Sequence, residues 1–178
     1  MNSSDNPFQQ QLEFGREVEK RVARWFMLRS FHVLPVYDYT ELQENKAPKL
    51  TAYITSDSLV SPDLQLAKAG CPLWLEVKYK QRADWTRLTR RYETGISLRL
   101  WDDYCQVEEI TGIPVAIVFV HEKEDRAVIA TMSQLKLLKP RTYTGYKMAA
   151  YGMIFFPFDQ LNVLSSATDV IGDLSVRN

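Results

Sequence analysis

The stretch Ser61-Pro62-Asp63-Leu64-Gln65-Leu66-Ala67-Lys68-Ala69-Gly70-Cys71-Pro72-Leu73-Trp74-Leu75-Glu76-Val77-Lys78-Tyr79-Lys80 carries most of what the chain says about its fold and chemistry. Ser61-Pro62-Asp63 punctuates the chain before a short strand over Leu64–Ala67, and Lys68-Ala69-Gly70 reads as a hairpin turn into a second strand over Leu73–Lys80. Strand residues alternate faces, so Leu73, Leu75, Val77 and Tyr79 make an apolar face suited to a core. Trp74, Glu76, Lys78 and Lys80 share the other face. Ionisable residues at Glu76 and Lys78, in a strand so apolar elsewhere, require a reason. The hairpin brings Asp63 beside Glu76, and two adjacent carboxylates repel unless one is protonated or a cation lies between them. Mg²⁺ suits such a pair, since it takes oxygen ligands and keeps waters and substrate phosphate oxygens. A lysine next to the ion can position or deprotonate a water and offset charge during phosphodiester hydrolysis.

Outward from this hairpin, residues 12–30 repeat at helical spacing with Phe14, Val18, Val22, Trp25 and Phe26 on one face. At about 100° per residue, Glu19 falls inside that apolar arc, between Phe26 and Ala23, while Glu17 falls outside it with Arg21 and Arg24. An extended run over His32–Tyr39, a polar loop over Glu41–Pro48 and a strand over Lys49–Ile54 come next. Ser97–Thr111 reads as a helix that Gly112 and Pro114 terminate, with Asp102 and Asp103 favouring its N-terminal end. Pro114–Val120 is a continuous apolar, β-branched run and so a buried central strand. A strand over Arg126–Thr131, a short helix opened by Ser133, a buried strand over Tyr151–Phe156 and a final helical turn or two over Phe158–Leu164 complete the chain. This order implies an α/β fold, a single domain over residues 1–178 with a mixed central β-sheet flanked by helices.

Pro62-Asp63 and Glu76-Val77-Lys78, joined through a short hairpin, resemble the PD-(D/E)XK nuclease superfamily, the fold of many restriction enzymes and Holliday junction resolvases. The resemblance implies a restriction endonuclease-like core over about residues 12–120, with an elaboration over 121–178. It implies Asp63 and Glu76 as metal ligands, the carbonyl of Val77 as a third, and Lys78 as the group that orients or activates the attacking water. The family also places an acid on its first helix that reaches the metal, usually through water. Gly15-x-x-x-Glu19-x-x-Val22-Ala23 looks like that element, and helical phase selects Glu19 over Glu17. The function implied is a Mg²⁺-dependent deoxyribonuclease, with Mn²⁺ as a substitute ion and DNA as the partner. The alternative is a catalytically silent DNA-binding module of the same fold. Asp57 is a rival ligand in a Ser/Asp-rich loop, and Tyr104 and Gln106 lie where some family members carry a further polar site residue, although Tyr104 reads better as packing.

The 178 residues include 22 basic and 22 acidic side chains, so net charge alone gives no argument for nucleic acid. Its distribution does. From Val77 to Trp101, seven basic residues (Lys78, Lys80, Arg82, Arg87, Arg90, Arg91, Arg99) stand against Asp84 and Glu93, interleaved with Tyr79, Trp85 and Tyr92. Lys80, Arg87, Arg90 and Arg91 are candidate phosphate contacts; the spacing of the three arginines also describes an exposed helical face. Arg141, Tyr143, Tyr146 and Lys147 form a second basic-aromatic stretch. With 2 Cys and 2 His, the chain has no zinc-ligand spacing and no paired histidines for catalysis, so chemistry must come from carboxylates and lysine. His32 and His121 are expected at strand ends, and Trp25 and Trp101 in the core. No apolar run reaches the ~18 residues of a membrane span, and the N-terminus has no secretory pattern, so the expectation is a cytoplasmic protein without a membrane partner. Cleavage of both strands of a duplex would be simplest in a homodimer, for which Met153–Phe158 offers an apolar run.

Overall fold

The computed structural model describes residues 7–36, 49–51, 58–143 and 152–172. Along the chain come α1 (Pro7–Met27), β1 (His32–Pro35), β2 (Lys49–Thr51), β3 (Ser58–Val60), β4 (Leu64–Lys68), β5 (Cys71–Lys80), β6 (Asp84–Thr86) and β7 (Arg91–Ser97). They are followed by α2 (Leu98–Thr111), β8 (Val115–His121), β9 (Arg126–Thr131), α3 (Met132–Leu137), β10 (Arg141–Tyr143), β11 (Met153–Pro157), a 3-10 turn (Phe158–Gln160), β12 (Asn162–Ser165) and α4 (Ala167–Ile171).

The main sheet has six strands in the order β1-β4-β5-β8-β9-β12. It is mixed: β5 pairs parallel with β8, and its other ladders are antiparallel. Both faces are covered. On one side Leu64, Leu66, Leu75, Val77, Val118 and Val120 pack against Val18, Val22 and Phe26 of α1 and Val170 and Ile171 of α4. On the other, Trp74, Ile117, Phe119 and Val128 meet Tyr104 and Val107 of α2, Leu135 of α3, and Ile154 and Phe156 of β11. All seven residues of β8 are buried, which explains why its sequence shows no alternation.

Helix ends follow their local chemistry. Ser97 caps α2 by accepting from the Leu100 amide at 3.3 Å, and Gly112 closes it with φ 66°. The α3 helix begins at Met132, not Ser133, because Thr131 and Gln134 form a reciprocal capping box. α1 is tied to α4 by Arg21 donating to the Ile171 carbonyl at 2.6 Å and Trp25 Nε1 donating to Asp169 at 2.8 Å.

Several expectations require correction. Arg87 to Arg90 form the turn of the β6–β7 hairpin, closed by the Arg90 amide donating to Thr86 at 2.8 Å, so the arginine spacing does not mark a helix. That hairpin belongs to a second sheet, in the order β10-β11-β7-β6, that the sequence reading did not anticipate. Phe158–Leu164 holds only a 3-10 turn before the chain becomes β12, which pairs with β9. The run Met153–Phe158 cannot form a dimer surface, since Ile154, Phe155, Phe156 and Phe158 are buried. Asp102 and Asp103 lie beyond the first turn of α2 and do not flank its N-terminus directly. After residue 121 the chain contributes β9 and β12 to the central sheet and β10 and β11 to the second one.

Gly95 lies opposite Phe155 in the β7–β11 ladder, where a Cβ would collide with the Ile154 carbonyl oxygen. Gly95→Ala is therefore expected to lower unfolding free energy by about 1–3 kcal/mol, the range for forced overpacking. Urea denaturation measures this, and an unchanged midpoint would contradict the close pairing.

Candidate active site

The β4–β5 register is the origin of the site. Its last pair is Leu64 with Leu75, and one further step would set Asp63 opposite Glu76. Directly opposed residues on one face have Cβ atoms about 4.5–5.5 Å apart, so the hairpin brings the two carboxylates together as the sequence led us to expect. Both are buried, Asp63 with 5 % and Glu76 with 2 % of its surface exposed.

Backbone direction adds a third oxygen. The Trp74 amide donates to Pro114, and the Lys80 carbonyl accepts from Glu122, so even-numbered residues of β5 turn their backbone groups toward β8. Odd-numbered residues turn theirs toward β4, which has stopped pairing before Val77 is reached. The Val77 amide accordingly donates to Asp63 Oδ2 at 2.8 Å. The Val77 carbonyl lies on the same open edge.

Lys78 Nζ forms an ion pair with Glu76 Oε1. The other oxygen, Oε2, is buried without a hydrogen-bond partner. Burial, the Glu76 charge and the Glu19 charge raise the Asp63 pKa well above its ordinary value, against the opposing effects of Lys78 and the Val77 amide. Burial works against the Lys78 ammonium, but Glu76, Asp63 and Glu19 outweigh it and raise its pKa. Glu19 is thus close enough for its charge to act on both Asp63 and Lys78. Glu17, in contrast, pairs with Arg21 at 2.8 Å on the outer face of α1, as helical phase requires.

The donor set fits a hard divalent cation: two carboxylates, one with an unsatisfied oxygen, and a main-chain carbonyl on an open edge. Among the described residues no three His, Cys, Asp or Glu side chains close on one point. An ion held here would complete its shell from backbone, water and substrate.

Lys80 is half-buried beside the site; burial and Lys78 depress its pKa, with Asp84 opposing. Arg87 and Arg90 stand exposed at the hairpin turn, and Arg91 is half-buried 3.7 Å from Glu93. Tyr104 is core and Gln106 is exposed. Arg141 is engaged by Glu93 at 2.7 Å, Tyr143 is exposed, and Cys71 and Cys105 are free thiols. Asp57, Tyr146 and Lys147 lie outside the described residues. Sequence reasoning missed Glu93, which is 1 % exposed and receives hydrogen bonds from Thr86, Thr89 and Arg141. Burial opposes its ionised form, but those bonds hold its carboxyl below the usual value. His121 ends β8 as expected, but its burial was not foreseen; it contacts Thr94 Oγ1 at 3.1 Å, and burial lowers its pKa to about 4. The alternating Thr and aromatic residues of 84–94 were the available signal for this hairpin.

The chain shares its mixed α/β fold, a central mixed sheet flanked by helices, with solved nuclease structures. It superposes on the structure of Hjc, a Holliday junction resolvase from the archaeal hyperthermophile Archaeoglobus fulgidus, with a TM-score of 0.51 over 82% of this chain and 90% of that one, at 10% identity. A second match is D212, a nuclease from a fusselovirus, with 13% identity, a TM-score of 0.41, and coverage of 87% and 82%. No protein-family model and no curated protein matches the sequence. The likeness is one of fold.

The raised Asp63 pKa has a definite sign. The native state holds this proton more tightly than the unfolded chain, so the group's contribution to stability is greatest below the ordinary carboxylate pKa and falls as pH rises through the raised value. Asp63→Asn removes that penalty while keeping an oxygen acceptor for the Val77 amide. In chelator it should melt higher than wild type at neutral pH, with the gap closing toward pH 4. A lower melting point at neutral pH would contradict the assignment.

Proposed function

We propose that the chain is a Mg²⁺-dependent deoxyribonuclease that hydrolyses phosphodiester bonds in DNA, with Mn²⁺ able to substitute. The observation that carries this reading is the buried Asp63–Glu76 pair, with an orphaned Glu76 oxygen and the Lys78 ammonium beside it. Two buried like charges are costly, and a site without catalytic use has no need for both carboxylates and the lysine.

In this reading Asp63, Glu76 and the Val77 carbonyl hold the ion, which when bound supplies Lewis acidity and lowers the pKa of coordinated water. Lys78 donates hydrogen bonds to the attacking water and to phosphate oxygen, orienting the first and offsetting charge on the second. Glu19, whose charge acts on both Asp63 and Lys78, would hold a water beside the ion. Lys80, Arg87, Arg90 and Arg91 supply positive charge along the path of the DNA backbone.

The test is cleavage of plasmid, linear duplex, single-stranded, flap and four-way-junction DNA with Mg²⁺ or Mn²⁺. Lys78→Ala should lower the rate by at least about 100-fold, the scale of lost acid–base assistance. Glu19→Gln should weaken metal dependence by about 10–100-fold, as outer-shell changes do. Full activity in Lys78→Ala would sink the mechanism. DNA retention without turnover under all these conditions would favour the silent binding module.

A further inference from the structure

Neither the core nor the carboxylate site accounts for the outer side of the β6–β7 hairpin. Trp85 and Tyr92 are cross-strand partners there, with ring centroids 5.1 Å apart at 67°, and they remain 55% and 52% exposed. Trp25 and Trp74 are buried and Trp101 is half-buried, so Trp85 is the outlier of its kind. A cavity of about 460 Å³ opens beside the pair, walled by Trp85, Tyr92 and Phe158 and edged by Arg91, Arg126 and Glu124. Its volume falls within the range of about 300–1,000 Å³ of small-ligand sites.

The charges around this cavity narrow the occupant. The Arg126 guanidinium lies 5.7 Å from the centre of the Phe158 ring, and Arg91 Nε lacks a hydrogen-bond partner. Arg91 Nε is buried and faces Glu93 at 3.7 Å, so the exposed Arg126 is the cation placed to meet a phosphate. Glu124 and Asp159 also line the cavity, and carboxylates there oppose a continuous run of phosphates. They suit the amino groups at a base edge, which donate to carboxylate oxygens. Glu124 is held in place by the Ala83 amide at 3.1 Å. Aromatic walls, a cation for phosphate and acceptors for a base edge together describe one nucleotide. Only an unpaired base offers its ring faces to such walls, because faces inside a duplex are already stacked.

Position links the cavity to the carboxylate site. Lys80 feels the charges of both Lys78 and Asp84, and the Glu122 and Lys123 amides donate to Lys80 and Gln81. The seven residue-to-residue steps from Lys78 to Trp85 span at most about 25 Å, comparable to several nucleotides of one strand.

We propose that the Trp85–Tyr92 cavity is a stacking subsite for an unpaired nucleotide, so that the substrate class is DNA with a single-stranded segment beside the scissile bond. Binding at the subsite stands on its own geometry; its role in choosing the substrate rests on the nuclease reading above.

Binding is measured in chelator, where no cleavage occurs, by the fluorescence anisotropy of a dye-labelled oligodeoxycytidylate of about 12 nucleotides, a length matched to single-strand sites, and in wild type also by quenching of tryptophan fluorescence. A duplex of equal length serves as comparison. The oligonucleotide should quench wild-type fluorescence. Trp85→Ala with Tyr92→Ala should weaken single-strand binding by about 5- to 100-fold, as loss of base stacking does, while duplex binding changes less than about twofold. Trp85→Phe should bind nearly as wild type, since a ring face remains. Absence of quenching in wild type, unchanged single-strand affinity in the double variant, or equal losses on both DNAs would overturn the subsite. The wild-type quenching decides the matter even if the double variant fails to fold. Mg²⁺-dependent cleavage by wild type is scored separately, so failure of the nuclease reading and failure of the subsite give different results.

Discussion

The β4–β5 ladder ends at the Leu64–Leu75 pair, and that ending sets one buried carboxylate, Asp63, across from another, Glu76. Low-dielectric surroundings make such a juxtaposition costly, with an effective penalty of several kcal/mol for each desolvated ion. The chain offsets it with two donors from β5 itself, the Val77 amide and the Lys78 ammonium. Neither reaches Glu76 Oε2, and neither prevents the Asp63 pKa from rising. The pair is therefore under-compensated by the protein's own groups, and Asp63 holds its proton more tightly as a result.

Such a site can exist only on a rigid support. β5 is held along the half that carries Glu76 and Lys78 by the parallel ladder to β8, whose seven residues are all buried. Burying a Val, Ile or Phe side chain contributes about 1.5–3 kcal/mol, so a few residues of β8 match the cost of one desolvated carboxylate. The alternation of β5 separates the two tasks. Leu75 and Val77 bury under α1, while Glu76 and Lys78 occupy the opposite face at the open edge. A one-residue slip in register would bury the lysine and expose the core, so packing on α1 also fixes the geometry of the carboxylates.

The legible parts of the fold were those in which local pattern and tertiary environment agree. α1, β5, α2, β8 and β9 could be read from periodicity and punctuation because their apolar faces are the ones the fold buries. The nearness of Asp63, Glu76 and Lys78 could be read from the hairpin and strand alternation, and the side of α1 that carries Glu19 from helical phase. The β6–β7 hairpin was obscured because Arg87, Arg90 and Arg91 imitate a helical face, and only part of what holds it, the bonds of Thr86 and Thr89 to Glu93, is local. Glu93 organises it by receiving Arg141 from β10, a partner 48 residues away that no local pattern can show. β12 was hidden for a similar reason: half-exposed residues in an edge strand lack the continuous apolar signature, and pairing with β9 overrides local preference.

The Glu93 network also explains how one sheet can serve another. Arg141, Thr86 and Thr89 converge on a carboxylate that is almost fully buried, so β6, its turn and β10 are held to β7 by charge-assisted bonds. Gly95 permits β11 to approach β7 closely, and Ile154 and Phe156 of β11 pack into the core beneath the main sheet. The hairpin is thereby anchored to the same core that supports β8. Because β6 follows β5 through only Gln81–Ala83, and the β8–β9 turn donates to Lys80 and Gln81, the outer hairpin cannot move far without disturbing the end of β5. A surface with exposed aromatic rings is thus held at a fixed distance from the carboxylate edge by backbone bonds, which is the condition for a strand bound at one to be presented in register at the other.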